Sequence, residues 1–327
     1  MTPPLGRRRL LITAAAGLLP LTSDAVHATP LWRWQGVALG AESTILLAHP
    51  RRTEAAAALA DCRREIGRLE RIFSLYRADS AVSLLNRQGW LAAPPPELLE
   101  VLVFCRRVSA VTEGAFDVTV QPLWTLYAEH FARPDADLAG PDAASLQRAL
   151  ARVDWQAVEL EAGRLRFGKP GMALTLNGVA QGYITDRVAD LLRDRGFDQV
   201  MVELGEIRAL GDRPDGQTWQ VGIADPDEPS AIRMTIPLRE TSLATSGGYG
   251  TWFDRAHRHH HLFDPATGHS ASRYAAVSVI APRAMRADAL STALSILPPE
   301  KTRGVLSKFP PVVAHFFNDK NVFTINS

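Results

Sequence analysis

Apolar positions between Thr53 and Ile72 recur at helical spacing, with Ala57, Ala60, Ile66 and Leu69 able to share one face. Pro96 is a good first residue for a second helix, which the pattern carries to about Val111. Proline, glycine and aspartate concentrate in 133–141, predicting a loop before a helix that Asp142 can cap. Alternation then replaces helical spacing: Val158–Glu161 and Arg164–Phe167 flank Ala162-Gly163 as a hairpin does, and Trp219–Ala224 pairs with Ile232–Leu238 across 225–229. Between the hairpins the pattern predicts a short strand from Leu174, a glycine turn, a helix carrying Ile184, Val188, Leu191 and Leu192, and a buried strand from Val200 to Leu204. Gly196 closes that helix, whose N-terminal amides are placed to meet an anion.

The segment 287–297 reads as a helix with Asp288 and Thr292 four apart, hence on one face. These are hard oxygen donors, suited to magnesium and a pyrophosphate substrate. A solvated helix start, with Asp288 favoured by the dipole, is the alternative. Five of the nine histidines fall at 257, 259, 260, 261 and 269, and the first, second and fourth of these would line one face of a strand. That strand is either a transition-metal site or a polar surface; consecutive histidines lack zinc-motif spacing. His261 stands apart, because Asp264-Pro265 and Gly268 predict a turn directly after it, and a neutral imidazole there can take a proton from a hydroxyl. Thr245-Ser246-Gly247-Gly248-Tyr249 is a small-residue turn, either a hairpin turn or a phosphate contact.

Composition narrows the class. With 327 residues, 46% hydrophobic and a formal charge of +1, the chain has ample core and no global field for nucleic acid or an anionic membrane. Residues 1–28 read as a cleavable export signal: Arg7-Arg8-Arg9 precedes an apolar run, Leu10 to Leu21, that is too short to span a membrane. The arginines before two leucines fit the twin-arginine type, and the destination is the bacterial periplasm. Residues 29–327 then form one domain with no transmembrane segment. Cys62 and Cys105 both fall in predicted helices and read as buried single thiols, although this compartment permits a disulfide.

Taken in order, Phe73–Ser80, Gly114–Thr119, Asn177–Asp186, Thr245–Gly247, His261–Gly268 and Ala287–Thr292 resemble the ApbE family of FAD:protein FMN transferases. The resemblance runs from about Gly36 to the C-terminal strand. It implies a single α/β (mixed α+β) domain of mixed sheets flanked by helices. It also implies a magnesium-dependent reaction in which FMN passes from FAD to a threonine or serine hydroxyl of a partner flavoprotein and AMP leaves. By the same resemblance Asp288, Thr292 and the Gly178 carbonyl are the Mg2+ ligands. Leu39, Tyr76, Ala115, Phe116, Asp117, Thr175, Gln181 and Phe263 contact FAD, and His261 activates the acceptor.

Three positions depart from the family pattern: Leu39-Gly40-Ala41 stands for Met-Gly-Thr, Thr175 for Asp, and Gln181 for Lys or Glu. Asn177–Arg187 and Glu203–Arg208, with one glycine fewer than usual, look most like the branch called NosX. That branch implies service to nitrous-oxide reductase maturation through a membrane-anchored, NosR-like acceptor with an FMN-binding domain. An FAD pyrophosphatase and a non-catalytic flavin carrier are the competing readings.

Overall fold

The computed structural model describes residues 29–327 apart from 162, 226–227, 229–230 and 319–320. The expected export signal therefore lies outside the described residues, as do parts of both hairpin turns. In chain order the elements are β1 (Leu31–Ala38), β2 (Ala41–Ala48), α1 (Arg52–Phe73), α2 (Ala81–Gln88), β3 (Trp90–Ala92) and α3 (Pro96–Val111). Then come α4 (Gln121–Phe131), α5 (Ala143–Leu150), β4 (Val158–Glu161), β5 (Arg164–Phe167) and α6 (Ala180–Asp194). Strands β6 (Val200–Glu203), β7 (Ile207–Leu210), β8 (Trp219–Ala224), β9 (Ile232–Leu238), β10 (Ser242–Gly247) and β11 (Ala276–Ala281) follow. The chain ends with α7 (Ala284–Leu294), α8 (Pro299–Leu306), β12 (Val313–Asn318) and β13 (Asn321–Asn326).

Eight strands form one sheet in the order β1-β2-β6-β7-β10-β11-β12-β13, and each neighbouring pair is antiparallel. The fold is thus the expected mixed α/β domain, but its sheets are antiparallel rather than mixed. The side-chain period of two divides the sheet between two cores. Val200, Val202 and Leu210 face the helices, whereas Met201, Ile207 and Ala209 face the β8–β9 hairpin, which covers them with Trp219, Val221 and Ile236. A third cluster joins Leu123 and Tyr127 of α4, Leu146 and Ala149 of α5, and Phe263.

The helical face of α1 is Ala55, Ala58, Cys62, Ile66 and Leu69; Ala57 is exposed and Ala60 only half-buried, so the anticipated stripe is rotated by part of a turn. Asp142 does cap α5, accepting from the Ser145 amide at 2.9 Å. The strand anticipated at Leu174 does not form. Instead the Asn86 side chain, projecting from α2, accepts from the Leu174 amide at 2.7 Å and donates to its carbonyl at 2.8 Å. One amide side chain thus stands in for a neighbouring strand, so α6 is not a crossover between two parallel strands. Both cysteines are buried and unpaired, and burial pushes the Cys62 thiol up to about 12.

Replacing Asn86 with Ala leaves both Leu174 backbone groups without their partner, and is expected to lower stability by about 2 kcal/mol, measured by urea unfolding.

Candidate functional site

Helices α6 and α7 cross so closely that a Cβ on Gly182 would lie 2.4 Å from the Ala284 carbonyl oxygen. At this crossing each helix supplies a carboxylate to the other's N-terminus. Asp186 of α6 accepts from the Ala284 and Met285 amides of α7 at 2.9 and 3.0 Å. Asp288 of α7 accepts from the Gly182 amide of α6 at 3.0 Å. Neither helix has a side-chain cap of its own, so these exchanged carboxylates satisfy N–H groups that would otherwise be orphaned. Asp288 is only 3% exposed, which excludes the solvated helix start.

One turn along α7, Thr292 meets Gly178, where a Cβ would approach the Thr292 hydroxyl to 2.8 Å. A glycine at 178 is therefore what lets this backbone reach the hydroxyl. The Ser246 hydroxyl lies 2.7 Å from that of Ser291 and 3.3 Å from that of Thr292, tying the end of β10 to α7. Thr245-Ser246-Gly247 is thus the end of a central strand facing the site, and the turn follows it as a short 3-10 helix at Gly248–Gly250.

A cleft opens here, across the end of the sheet where β2 begins and β6 and β10 finish. Its walls include Ala115, Phe116, Asp117, Thr175, Gly178, Gln181, His261, Phe263, Asp288 and Thr292, all singled out in the sequence. Leu39 and Tyr76 are not in its wall. The Leu39 amide donates to Glu70 at 2.8 Å, and the Tyr76 ring, 61% exposed, lies against Gly40, next to the wall residue Ala41.

Several wall residues also have scaffold duties. Asp117 holds the Thr119 amide and hydroxyl at 2.7 and 2.6 Å and the Trp155 amide at 3.2 Å, while burial pushes its carboxyl up. The Phe263 ring is buried against Tyr127 and Phe253, with centroids 5.0 and 5.9 Å away, so it braces the wall more than it faces the cleft. Gln181 is buried under Gly205, whose φ of +98° and lack of a side chain leave room for the amide.

The histidines do not line a strand face. His257 has φ +56° and stacks on Trp252, and His259 packs on Tyr127 and Phe131. His260 is buried rather than on the surface: its Nε2 lies 2.7 Å from the Ala271 carbonyl, and burial lowers its pKa. The irregular path from 253 to 262 follows from these anchors, which segregate successive histidines to different neighbours. His261 alone among them reaches the cleft, beside Gly250, where a Cβ would approach its ring to 3.0 Å. The turn after it is as expected, with the Gly268 amide donating to the Asp264 carbonyl at 2.8 Å.

Sequence reasoning missed the acidic wall: Glu42, Glu203 and Glu206 also line the cleft, with Trp124 and Tyr249. Burial pushes the Glu203 carboxyl up to about 7, Arg33 opposing and Glu42 assisting. Burial, then Glu206, raises the Tyr249 hydroxyl to about 12. The sequence signals at Glu203 were a charge near the end of an otherwise apolar strand and its place in the Glu203–Arg208 segment, neither of which marks a cleft wall.

Among the described residues no cluster of three or more His, Cys, Asp or Glu side chains is suited to a metal. The donors at the crossing are instead the Asp288 carboxylate and the Thr292 hydroxyl, both hard oxygens, with the Gly178 backbone packed against the hydroxyl. That set fits magnesium, which keeps much of its shell for water and phosphate oxygens.

Residues 39–317 match the model of the ApbE family. The chain is 34% identical over 282 residues to the FAD:protein FMN transferase of Treponema pallidum, covering 77% of this chain and 75% of that one. It is 30% identical over 264 residues to the enzyme of the same name from Haemophilus influenzae, covering 78% and 76%. The solved flavin transferase ApbE of Vibrio cholerae superposes with a TM-score of 0.78 at 29% identity, over 91% of this chain and 97% of that one. The flavinyl transferase ApbE of Pseudomonas stutzeri does so with 0.76 at 26%, over 93% and 96%. The chain is a single mixed α/β domain of the flavin-transferase type, and it belongs to the ApbE family.

The raised Glu203 pKa carries a stability signature. From about pH 4.5 to 7 the folded state holds a proton that the unfolded chain has released, so stability falls as pH rises through that window. Glu203→Gln is expected to match the parent at the acid end and to exceed it by about 1–3 kcal/mol at pH 8, read from urea midpoints.

Proposed function

We propose that this protein is an FAD:protein FMN transferase that uses Mg2+ and acts in the periplasm. The observation that carries the reading is the α6–α7 crossing, where Asp288, Thr292 and Gly178 converge on a cleft that also holds His261. Family membership supports the transfer activity, and the donor set supports the metal. When bound, Mg2+ supplies positive charge against the pyrophosphate of FAD.

The chain's own residues do the rest. Asp288, Thr292 and the Gly178 carbonyl would hold the metal, and the apolar wall around Phe116 and Trp124 would keep water from bound FAD. His261 takes the proton of the acceptor hydroxyl as that oxygen attacks the FMN phosphorus; the P–O bond to AMP breaks, and AMP leaves with the bridging oxygen. Excluding water matters because hydrolysis competes with transfer.

The finer assignment rests on Asn177–Arg187 and Glu203–Arg208. It makes the acceptor a membrane-anchored, NosR-like flavoprotein of nitrous-oxide reduction. The export-signal pattern read in residues 1–28 of the sequence supports the periplasmic location. No helix among the described residues is long and apolar enough to cross a membrane.

Incubation with FAD, Mg2+ and an FMN-binding-domain partner is expected to add FMN to a partner hydroxyl, seen as a mass increase and in-gel fluorescence. An unmodified partner beside folded, FAD-loaded enzyme refutes transfer. AMP released at a rate indifferent to the partner marks a pyrophosphatase, and FAD recovered intact marks a carrier. Asp288→Ala is expected to slow turnover at least about 100-fold while FAD affinity changes less than about threefold, by single-turnover AMP release and flavin fluorescence titration.

A further inference from the structure

Behind the cleft, outside its lining, lies an ionic group that is buried at Asp186 and Arg208 and reaches the surface at Asp190 and Arg283. Asp186 is 1% exposed, and besides the two α7 amides it receives Arg208 Nη1 at 2.7 Å and Arg283 Nε at 3.3 Å. Arg208 comes from β7, with its side chain 5% exposed, and strand alternation turns it to the helix side, as it does Leu210. Asp190, one turn further along α6, closes the group: it lies 3.1 Å from Arg208 Nη1 and takes Arg283 at 2.9 and 2.7 Å. Sheet, α6 and the start of α7 are therefore joined at Asp186.

We infer that Asp186 is a positioning residue for the metal site, acting through the exchanged caps at the α6–α7 crossing. Its carboxylate fixes where α7 begins, and the next turn of α7 carries Asp288. Asp288 then returns to the Gly182 amide, one turn before Asp186 on α6. The loop of contacts is closed: moving the start of α7 displaces Asp288 and Thr292, both carried by that helix, relative to Gly178, the third donor. Arg208 offsets the cost of burying the Asp186 charge and holds the carboxylate against both amides. The inference rests on the metal reading of Asp288, Thr292 and Gly178.

The test is calorimetric titration of Mg2+ into FAD-loaded protein, with FAD retention in EDTA and thermal unfolding measured on the same samples. Asp186→Asn is expected to weaken Mg2+ binding about 10- to 100-fold while FAD retention without metal stays near the parent value. Asp190→Asn, which disturbs the arginines but leaves the α7 amides capped, is expected to change Mg2+ affinity by less than about threefold. An Asp186→Asn titration that superimposes on the parent overturns the inference, even if the melting temperature falls. So does an Asp190→Asn variant that loses as much affinity as Asp186→Asn. If Asp186→Asn does not fold, Arg208→Lys keeps the buried charge and loosens its hold on Asp186. It is expected to weaken Mg2+ binding by at least about threefold, and unchanged affinity in it overturns the inference. Unchanged Mg2+ binding in Asp288→Ala refutes the metal reading instead, so the two failures are distinguishable.

Discussion

Two helix N-termini that lack caps of their own, pressed together at Gly182, are the constraint on which the rest of the site depends. Their unpaired amides are buried, and burying an N–H without a partner costs more than an ordinary hydrogen bond returns. The exchange of Asp186 for Asp288 meets both demands at once. It also leaves a carboxylate at the floor of the cleft, which a self-capped helix would not do. The close approach needs a residue without a side chain at 182, just as the Gly178–Thr292 approach needs one at 178. Stability and chemistry thus draw on the same few atoms.

The remaining walls are arranged around this crossing. The antiparallel sheet brings the start of β2 and the ends of β6 and β10 to one side, so that Glu42, Glu203 and Ser246 face the cleft together. Helix α4 closes it laterally through Trp124, and the Tyr127–Phe263 contact, packed against α5, fixes the segment carrying His261. His261 is presented because His259 and His260 are each anchored elsewhere.

Features carried by local spacing were legible in the sequence. The α1 and α3 helices, both hairpins, the Asp142 cap, the turn at Gly268 and the pairing of Asp288 with Thr292 all follow from residues within a few positions of each other. Features set by distant partners were not. Leu174 has the pattern of a strand residue, but its backbone is claimed by Asn86, 88 positions earlier. His260 is polar and sits among polar neighbours, yet Ala271 and Ser270 draw it inside. Glu203 gave no sign of its raised pKa, since desolvation belongs to the assembled cleft. The role of Asp186 was equally hidden, because an acidic residue inside a helix looks like surface until Arg208 arrives from another element.

The cleft is lined by residues from Ala41 to Ile296, drawn from almost every part of the described chain. Ligand binding to such a site is thermodynamically linked to closure of the whole sheet, so bound FAD favours the complete native state over every partly folded one, in proportion to the logarithm of its concentration above its dissociation constant. The nucleotide is in this sense a folding ligand as well as a substrate, and a chain that has lost β2, β6 or β10 has no complete cleft in which to spend FAD unproductively.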